Sequence, residues 1–272
     1  MSKYSYGWVP DLPDHRDFLF AAPLENLASL PASVDLRPQC PKEVYDQGNL
    51  GSCTANAIAG ALEFEQMKQA LKAFTPSRLF IYYNERVIEH TVNTDSGAQI
   101  RDGMKSVGSI GAPPETDWPY DVSKFAEKPP KDPAFKDARL GKALQYQRVP
   151  QVLNQMKGCL ASGYPFVYGF TVYESFESDQ VAKTGAAPMP AAGEKVLGGH
   201  AVVAVGYDDA SQRFISRNSW GPGWGMDGYF TIPYAYLTDG NLADDFWTVR
   251  LVAKTAVQLA AEKAAAAVAA RP

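Results

Sequence analysis

The stretch that decides the fold is residues 46–56, which read DQGNLGSCTAN. Small residues precede Cys53, and after it apolar side chains recur at near-helical spacing as far as Phe74. The pattern therefore predicts a helix that begins at the cysteine. A helix N-terminus carries partial positive charge, which makes the thiolate form of a cysteine more available. We interpret Cys53 as a nucleophile.

The residues upstream of Cys53 support this interpretation. Gly51 and Ser52 are small enough to let a substrate backbone approach the sulfur. Gln47 can direct its amide N–H at a carbonyl oxygen that is becoming an oxyanion. For the other two cysteines, Cys40 and Cys159, we favour the role of small buried apolar side chains.

The base must be one of three histidines. His15 lies in the N-terminal segment, and His90 ends a predicted helix, where a cation has an ordinary structural role. His200 follows two glycines and opens the apolar strand 201–205, AVVAV. Taken alone it would be interpreted as a core histidine.

The run NSWGPGWGMDGY at residues 218–229 changes that interpretation. Asn218 can accept a hydrogen bond from one imidazole nitrogen and leave the other for the thiol. Trp220 is expected to cover that hydrogen bond and exclude water. For Trp224 and Tyr229, turn formation and core packing are a sufficient explanation.

These motifs resemble the papain family of cysteine peptidases in type and order, from about Leu30 to Leu251. Cys53 and His200 are separated by 147 residues (200 minus 53), within the range typical of the family. The resemblance implies an α+β, two-lobe papain-like fold. It places a helical lobe at about 45–145, a β-barrel-like antiparallel lobe at about 146–250, and the cleft between them.

The resemblance also implies roles for individual residues. Cys53, His200, Asn218 and Gln47 fall on the catalytic and oxyanion positions, with an acyl-enzyme formed on the cysteine. Further expected substrate-binding residues are Gly51, Ser52, Ser96, Gly97, Gly199 and Trp220. Of these, Gly97 lies where the backbone of the family pairs with the substrate chain.

The chain also departs from the family pattern. Leu50 replaces the usual cysteine before the nucleophile, and Thr54 replaces the usual aromatic residue after it. Only about thirty residues stand in place of the long helical prosegment, which resembles the short-extension bacterial members and indicates a zymogen.

Composition is typical of a globular enzyme: 272 residues, 46% apolar, 21% charged, net charge −4, with Lys and Arg scattered. We therefore expect a peptide or protein substrate, no nucleic-acid or membrane partner, and a monomer. No Cys-x-x-Cys or His-x-x-x-His spacing is present, so neither a metal nor a cofactor is expected. Three cysteines and no readable signal peptide favour a cytoplasmic location.

Three segments complete the predicted organisation. Residues 1–29, which we call the strap, lack a regular period and are predicted to be extended and dispensable for the core. We expect the strap to lie along the cleft and limit access to Cys53; the alternative is a tie on the back of the molecule. Residues 123–141 read as a surface excursion, and the Ala-rich tail 254–272 as a helix or frayed end.

Two functional alternatives remain open at this stage. A peptide-binding or regulatory protein would retain the fold but would not need Cys53. Acyl transfer to an amine would use the same residues as hydrolysis.

Substrate specificity is only partly readable from the sequence. Candidate residues for the wall of the cleft are Phe166, Val167 and Gly169, and we expect an apolar or aromatic preference two residues before the cleaved bond. The loop 183–198 is expected near the rim.

The cysteine assignment predicts the outcome of a labelling experiment. Cys53→Ala should abolish turnover of a peptide substrate while the protein stays folded, because only Cys53 combines a helix N-terminus with an inferred imidazole partner. A thiol-directed epoxide followed by mass mapping should label Cys53 and neither Cys40 nor Cys159. A label on either of the other two cysteines would refute the assignment.

Overall fold

The computed structural model describes residues 4–253. Helices within this range are α1 (Leu24–Ala28), α2 (Cys53–Lys68), α3 (Arg78–Ile88), α4 (Ile100–Ser109), α5 (Leu153–Ala161), α6 (Asp179–Thr184) and α7 (Tyr234–Leu237). Strands are β1 (Ser33–Asp35), β2 (Ala143–Arg148), β3 (Phe166–Tyr173), β4 (Val196–Asp208), β5 (Arg213–Arg217), β6 (Tyr229–Pro233) and β7 (Ala243–Val252). Short helical turns lie at Arg37–Gln39, Val122–Lys124, Lys131–Phe135, Ala138–Gly141 and Glu174–Glu177.

Within the described residues, these seven strands form one antiparallel sheet in the order β2-β7-β3-β4-β5-β6, with β1 paired to β4. No pairing joins β2 to β6 among these residues, so the sheet is open and the expected barrel-like closure is not formed. The helices α2, α3 and α4 pack on one another, and α2 also packs on β4 and β7. The helical and antiparallel-sheet regions of the predicted α+β papain-like fold are thus both present.

Helix α2 lies at the centre of this arrangement. Small side chains dominate its first turns, among them Ala55, Ala57, Ala59 and Gly60, and all of them are buried. Small residues let a helix backbone approach a sheet closely, which is why α2 rests directly on the apolar strand β4. The predicted start of this helix at Cys53 is confirmed.

Several predicted boundaries are wrong for identifiable reasons. Helix α2 ends at Lys68 instead of near Phe74, and Ala70 just beyond it has a left-handed φ of 52°. The next helix, α3, has Ser77 as its N-cap. The Ser77 hydroxyl accepts a hydrogen bond from the Phe80 N–H at 3.2 Å.

Other differences concern the residues at which helices and strands begin or end. His90 lies outside α3 with φ 60°, instead of closing the helix. Helix α5 begins only at Leu153, and before it the Val149 N–H donates to Phe246 O at 2.7 Å and continues the sheet. Strand β4 begins at Val196, so His200 lies inside the strand and not at its mouth.

The described part of the strap, residues 4–29, packs against the rest of the protein. Its extended prediction fails at α1, which packs on α5. Its expected independence from the core is also wrong, since Trp8 and Phe20 are buried. Charged contacts add to the attachment, such as Arg101 with Asp17 at 2.7 Å.

Among the described residues, no helix is both long and apolar enough to cross a membrane. The predicted tail at residues 254–272 lies outside the described residues.

One buried arginine should contribute strongly to stability. Arg86 of α3 is fully buried and donates to the backbone oxygens of Val92, Thr94 and Phe125, which attaches two loops to the helix. We expect Arg86→Leu to lower the free energy of unfolding by about 2–4 kcal/mol, measured by urea denaturation, because three carbonyl groups lose their donor. Arg139→Leu, at an exposed position, is the control and should change the free energy by less than about 0.5 kcal/mol. Equal effects of the two substitutions would contradict this role for Arg86.

Candidate active site

The candidate nucleophile lies at the N-terminus of α2 with no measurable exposure. Burial raises the pKa of the Cys53 thiol to about 12, although the backbone N–H groups of Ala201, Gly7 and Thr54 act in the opposite direction. The N–H of Ala201 reaches the sulfur from β4. The structure therefore brings Cys53 next to the strand that carries the candidate base.

His200 pairs with Asn218 as the sequence predicts. The His200 Nε2 atom lies 2.8 Å from Asn218 Oδ1, and the same oxygen accepts the Ser219 N–H at 2.8 Å. Since Oδ1 accepts both bonds, Nε2 is assigned as the protonated nitrogen, and Nδ1 is left as an acceptor. Nδ1 is buried and has no hydrogen-bond partner among the described residues, as expected for the atom that would receive a thiol proton.

The charge states of Cys53 and His200 follow from their burial. Burial lowers the pKa of His200 to about 4, while the bond with Asn218 raises it. With the thiol pKa raised and the imidazole pKa lowered, both groups are neutral near pH 7 in this arrangement. The thiolate–imidazolium pair is therefore disfavoured as long as the site is covered.

Gln47 is fully buried, and its amide has a defined orientation. Its Oε1 accepts the Ser219 hydroxyl at 2.7 Å, so Nε2 is the end that points into the site. Nε2 donates to Leu50 O at 2.9 Å and to Ser5 O at 3.1 Å. A peptide carbonyl of the strap, Ser5 O, thus lies where an oxyanion would accept the hydrogen bond from Gln47 Nε2.

The strap passes through the site. The N–H groups of Gly7 and Trp8 both donate to Gly199 O, at 3.1 and 2.9 Å. On the other side, Gly7 O accepts the Ala98 N–H at 2.7 Å, and the Val9 N–H donates to Ala98 O at 3.1 Å. The strap is therefore hydrogen-bonded between the loop before α4 and strand β4.

Aromatic side chains cover His200. Trp220 stacks on His200 with ring centroids 4.8 Å apart, and Tyr4 stacks on Trp220 at 3.7 Å with nearly parallel planes. Tyr6 meets the edge of His200 at 6.0 Å. The Trp220 ring lies against the imidazole itself, a contact that shields the hydrogen bond to Asn218.

The expected substrate-binding residues fall into two groups. Gly51, Gly97, Gly199 and Trp220 contact the strap, and a Cβ added at Gly97 would overlap Gly7. By contrast, the Ser52 hydroxyl bonds internally to Tyr120 at 2.5 Å, and the Ser96 hydroxyl to Gly97 O at 3.3 Å.

Sequence reasoning missed three residues at this site. Ala98, and not Gly97, exchanges backbone hydrogen bonds with the strap, because the Gly97 N–H donates to the Tyr82 hydroxyl at 3.1 Å. Ser219 orients Gln47, and its position directly after Asn218 was the available signal. Asp245 accepts the indole N–H of Trp8 at 3.0 Å, and no motif marked it.

The two remaining cysteines form no part of the contacts described above. Cys40 and Cys159 are buried free thiols whose pKa values are raised to about 11, mainly by burial. Among residues 4–253, no group of three or more His, Cys, Asp or Glu side chains is placed to hold a metal ion.

Comparisons with known proteins agree with this geometry. A family model described as papain family cysteine protease matches residues 30–245. A peptidase C1-like protein of Acanthamoeba polyphaga mimivirus is 41% identical, covering 91% of this chain and 87% of its own. Cathepsin B-like CP3 of Giardia intestinalis is 30% identical over 74% of this chain and 69% of its own.

Solved structures give the same result. Xylellain, a cysteine protease from Xylella fastidiosa, has a TM-score of 0.86 and 46% identity, covering 92% of this chain and 97% of that one. Procathepsin B of Trypanosoma congolense shares the fold, with a TM-score of 0.72 and 18% identity over 92% and 87% of the two chains. This chain belongs to the papain family of cysteine proteases and is a peptide-bond hydrolase. The expected resemblance to bacterial members is confirmed by the similarity to xylellain.

The oriented amide of Gln47 generates a kinetic prediction. Gln47→Ala should lower kcat by about 10²-fold with a smaller change in KM, because a donor to the oxyanion acts mainly in the transition state. Steady-state kinetics on a fluorogenic peptide measures both values. Gln145→Ala, on an exposed position of β2, is the control and should leave both unchanged. An unchanged kcat in Gln47→Ala would remove Gln47 from the catalytic set.

Proposed function

We propose that this protein hydrolyses peptide bonds through an acyl-enzyme on Cys53, and that the strap limits access to the site. The observation that carries the first part is the connected set Gln47–Ser219–Asn218–His200 beside the N-terminus of α2. The observation that carries the second is the strap backbone bonded to Gln47, Ala98 and Gly199.

The proposed reaction has two stages. Cys53 Sγ attacks the substrate carbonyl carbon while His200 Nδ1 takes the thiol proton. The oxyanion accepts hydrogen bonds from Gln47 Nε2 and from the backbone N–H of Cys53, which has no partner inside α2 because it begins the helix. His200 then gives its proton to the leaving amine, and the C–N bond breaks to leave a thioester.

Water completes the cycle. His200 removes a proton from a water molecule, which attacks the thioester carbonyl, and the carboxylic acid leaves as the thiol is restored. Asn218 keeps the imidazole in the tautomer that accepts at Nδ1 throughout. The substrate class is a peptide or protein, and the pairing of Ala98 with the strap backbone supports recognition of an extended main chain.

The strap would restrict this reaction in two ways. It fills the space over Cys53, with Tyr4 and Tyr6 on the rings beside the base and Ser5 O on the oxyanion donor. It also excludes water, which favours the neutral thiol and imidazole. Displacing the strap readmits water, so we expect the thiol pKa to fall and the imidazole pKa to rise towards the active pair.

A single added methyl group tests the regulatory part. A Cβ at Gly7 would overlap the carbonyl of Gly51, so Gly7→Ala prevents the strap from docking as observed. We expect Gly7→Ala to raise the rate of Cys53 labelling by a thiol-directed epoxide, and the turnover of short peptides, by at least about tenfold. This substitution is a sharper test than deletion of residues 1–29, because deletion also removes α1 and the Asp17 ion pair.

The control for this test is also on the strap. Leu12 is 79% exposed, so Leu12→Ala should leave labelling and turnover as in the unsubstituted chain. Gly7→Ala protein that is folded but labels no faster than the unsubstituted chain would show that the strap is only a structural tie. Folded Gly7→Ala protein that labels quickly but cleaves no peptide would contradict the proposed hydrolysis.

A further inference from the structure

A group of charged side chains, which we call the charge cluster, joins the strap to α4, β2 and β7. Its members are Asp11 and Asp17 of the strap, Asp244 and Asp245 of β7, Arg101 of α4 and Arg148 of β2. With every member ionised, four carboxylates face two guanidinium groups. The members that belong to the body balance one another, so the whole excess of negative charge arrives with the strap.

Asp11 is the most weakly hydrogen-bonded carboxyl group of the charge cluster. Its side chain has no exposed surface. Among the described residues it accepts three hydrogen bonds, and all of them are long: from the Arg101 backbone N–H at 3.4 Å, Trp247 Nε1 at 3.4 Å and Arg148 Nη1 at 3.5 Å. A carboxylate that loses water without gaining close donors is unfavourable.

The other carboxylates of the charge cluster have closer partners. Asp17 lies 2.7 Å from a guanidinium nitrogen of Arg101, and Asp245 lies 2.9 Å from one of Arg148. Asp244 is also 2.9 Å from Arg148 and is partly in solvent. The excess negative charge is therefore removed most easily by a proton on Asp11.

The neighbouring carboxylate makes this proton more favourable. The Asp11 N–H donates to Asp245 Oδ2 at 2.8 Å, so the docked strap holds the two acidic side chains together. Burial, and then the charge of Asp245, raises the pKa of Asp11 to about 8, although Arg101 and Arg148 act in the opposite direction. In a displaced strap Asp11 would lie in water, with an ordinary pKa of about 4. Docking therefore takes up a proton between these two pH values.

We propose that the charge cluster is a pH-sensitive latch, in which the strap docks with Asp11 protonated and is released as the pH rises. This inference rests on the proposed function, because it concerns how the strap regulates the same site. Its direction follows from the proton count, since a docked state that binds one more proton than the displaced state is favoured at low pH. The contribution of Asp11 to docking is complete below about pH 4 and is lost as the pH rises to about 8.

Other charged groups lie near the charge cluster without changing its balance. Asp14 pairs with Arg16 at 2.6 Å, and Asp102 pairs with Lys105 at 3.4 Å, so each of these pairs is neutral. His15 is exposed on the docked strap. Asp11, by contrast, passes from water to complete burial when the strap docks.

A conventional ion pair would make the opposite prediction for the same residue. If Asp11 docked as a carboxylate held by the two arginines, removing its charge would loosen the strap. If Asp11 docks protonated, a neutral side chain of the same shape should tighten the strap wherever the free carboxyl is ionised. Asp11→Asn distinguishes the two cases, because it removes the charge and retains the shape.

The test measures epoxide labelling of Cys53 in full-length protein at about pH 5.5 and about pH 8. Gly7→Ala protein gives the labelling rate with the strap displaced. Its rate divided by that of the unsubstituted chain, which we call the docking ratio, therefore measures how firmly the strap is docked. We expect the docking ratio to fall by at least about tenfold from the lower pH to the higher one.

The variant at Asp11 should abolish this change. In Asp11→Asn protein the docking ratio should be about equal at the two pH values, because no proton is taken up on docking. At the higher pH, labelling of Asp11→Asn should be about tenfold slower than that of the unsubstituted chain. A docking ratio of the unsubstituted chain that stays constant or rises with pH overturns the latch, and so does faster labelling of folded Asp11→Asn at the higher pH.

Two controls accompany this variant. Asp17→Asn removes a carboxylate held at 2.7 Å by Arg101, so it should loosen the strap and speed labelling, the opposite of Asp11→Asn. His15→Gln, at an exposed position, should leave the change of the docking ratio with pH as in the unsubstituted chain. Loss of that change in His15→Gln would assign the proton to His15 and overturn the latch.

Turnover of a fluorogenic peptide separates this inference from the proposed function. Gly7→Ala protein that cleaves the peptide, with a docking ratio that is high but independent of pH, removes the latch and leaves the proposed function intact. Gly7→Ala protein that labels quickly but cleaves no peptide contradicts the proposed hydrolysis, while a docking ratio that falls with pH still supports the latch. A docking ratio of about one at both pH values would overturn both the latch and the proposed role of the strap.

Discussion

The close packing of α2 on β4 is the contact on which the site depends. The face of α2 that meets the sheet carries small side chains, and even a methyl group at Gly60 would reach contact distance of Val203. This proximity places the first residue of the helix against the backbone of β4, so the Ala201 N–H points at the Cys53 sulfur. Larger residues on this face would move the helix and separate Cys53 from His200.

The second constraint is the hairpin that follows β5. Asn218 and Ser219 are consecutive, and they orient different catalytic candidates: Asn218 the imidazole of His200, and Ser219 the amide of Gln47. The Gln47 N–H also donates to Ser219 O at 2.9 Å. A shift of this short segment would therefore disturb His200 and Gln47 together, although the two residues lie far apart in the sequence.

Much of this could be predicted from local chemistry. The start of α2 at Cys53 followed from small residues before an apolar helical period, and the core of β4 followed from the apolar run at residues 201–205. The pairing of His200 with Asn218 was inferred from the resemblance and from hydrogen-bonding capacity. These features are encoded within short windows of the chain, where spacing and residue type carry the information.

The features that escaped prediction depend on contacts distant in sequence. Strand β1 is only three residues long and is defined by its pairing with β4. The role of Ala98 depends on Tyr82, which occupies the N–H of Gly97. Asp245 is 237 residues from the indole that it binds. Each of these is set by the assembled sheet, and no local period or motif distinguishes the residues involved.

The strap occupies the site as part of the same chain, and this has a consequence for concentration. A tethered segment meets its site at an effective concentration that is often millimolar and does not change when the protein is diluted. Under the proposed function, an incoming peptide competes with the strap at that local concentration, whatever the amount of protein present. A single cut between the part of the strap that crosses the site and α1 would turn that part into a separate peptide, whose occupancy then falls on dilution. The link between residues 12 and 24, with Leu12 and Phe18 exposed, is thus the place where an intramolecular equilibrium can become a bimolecular one.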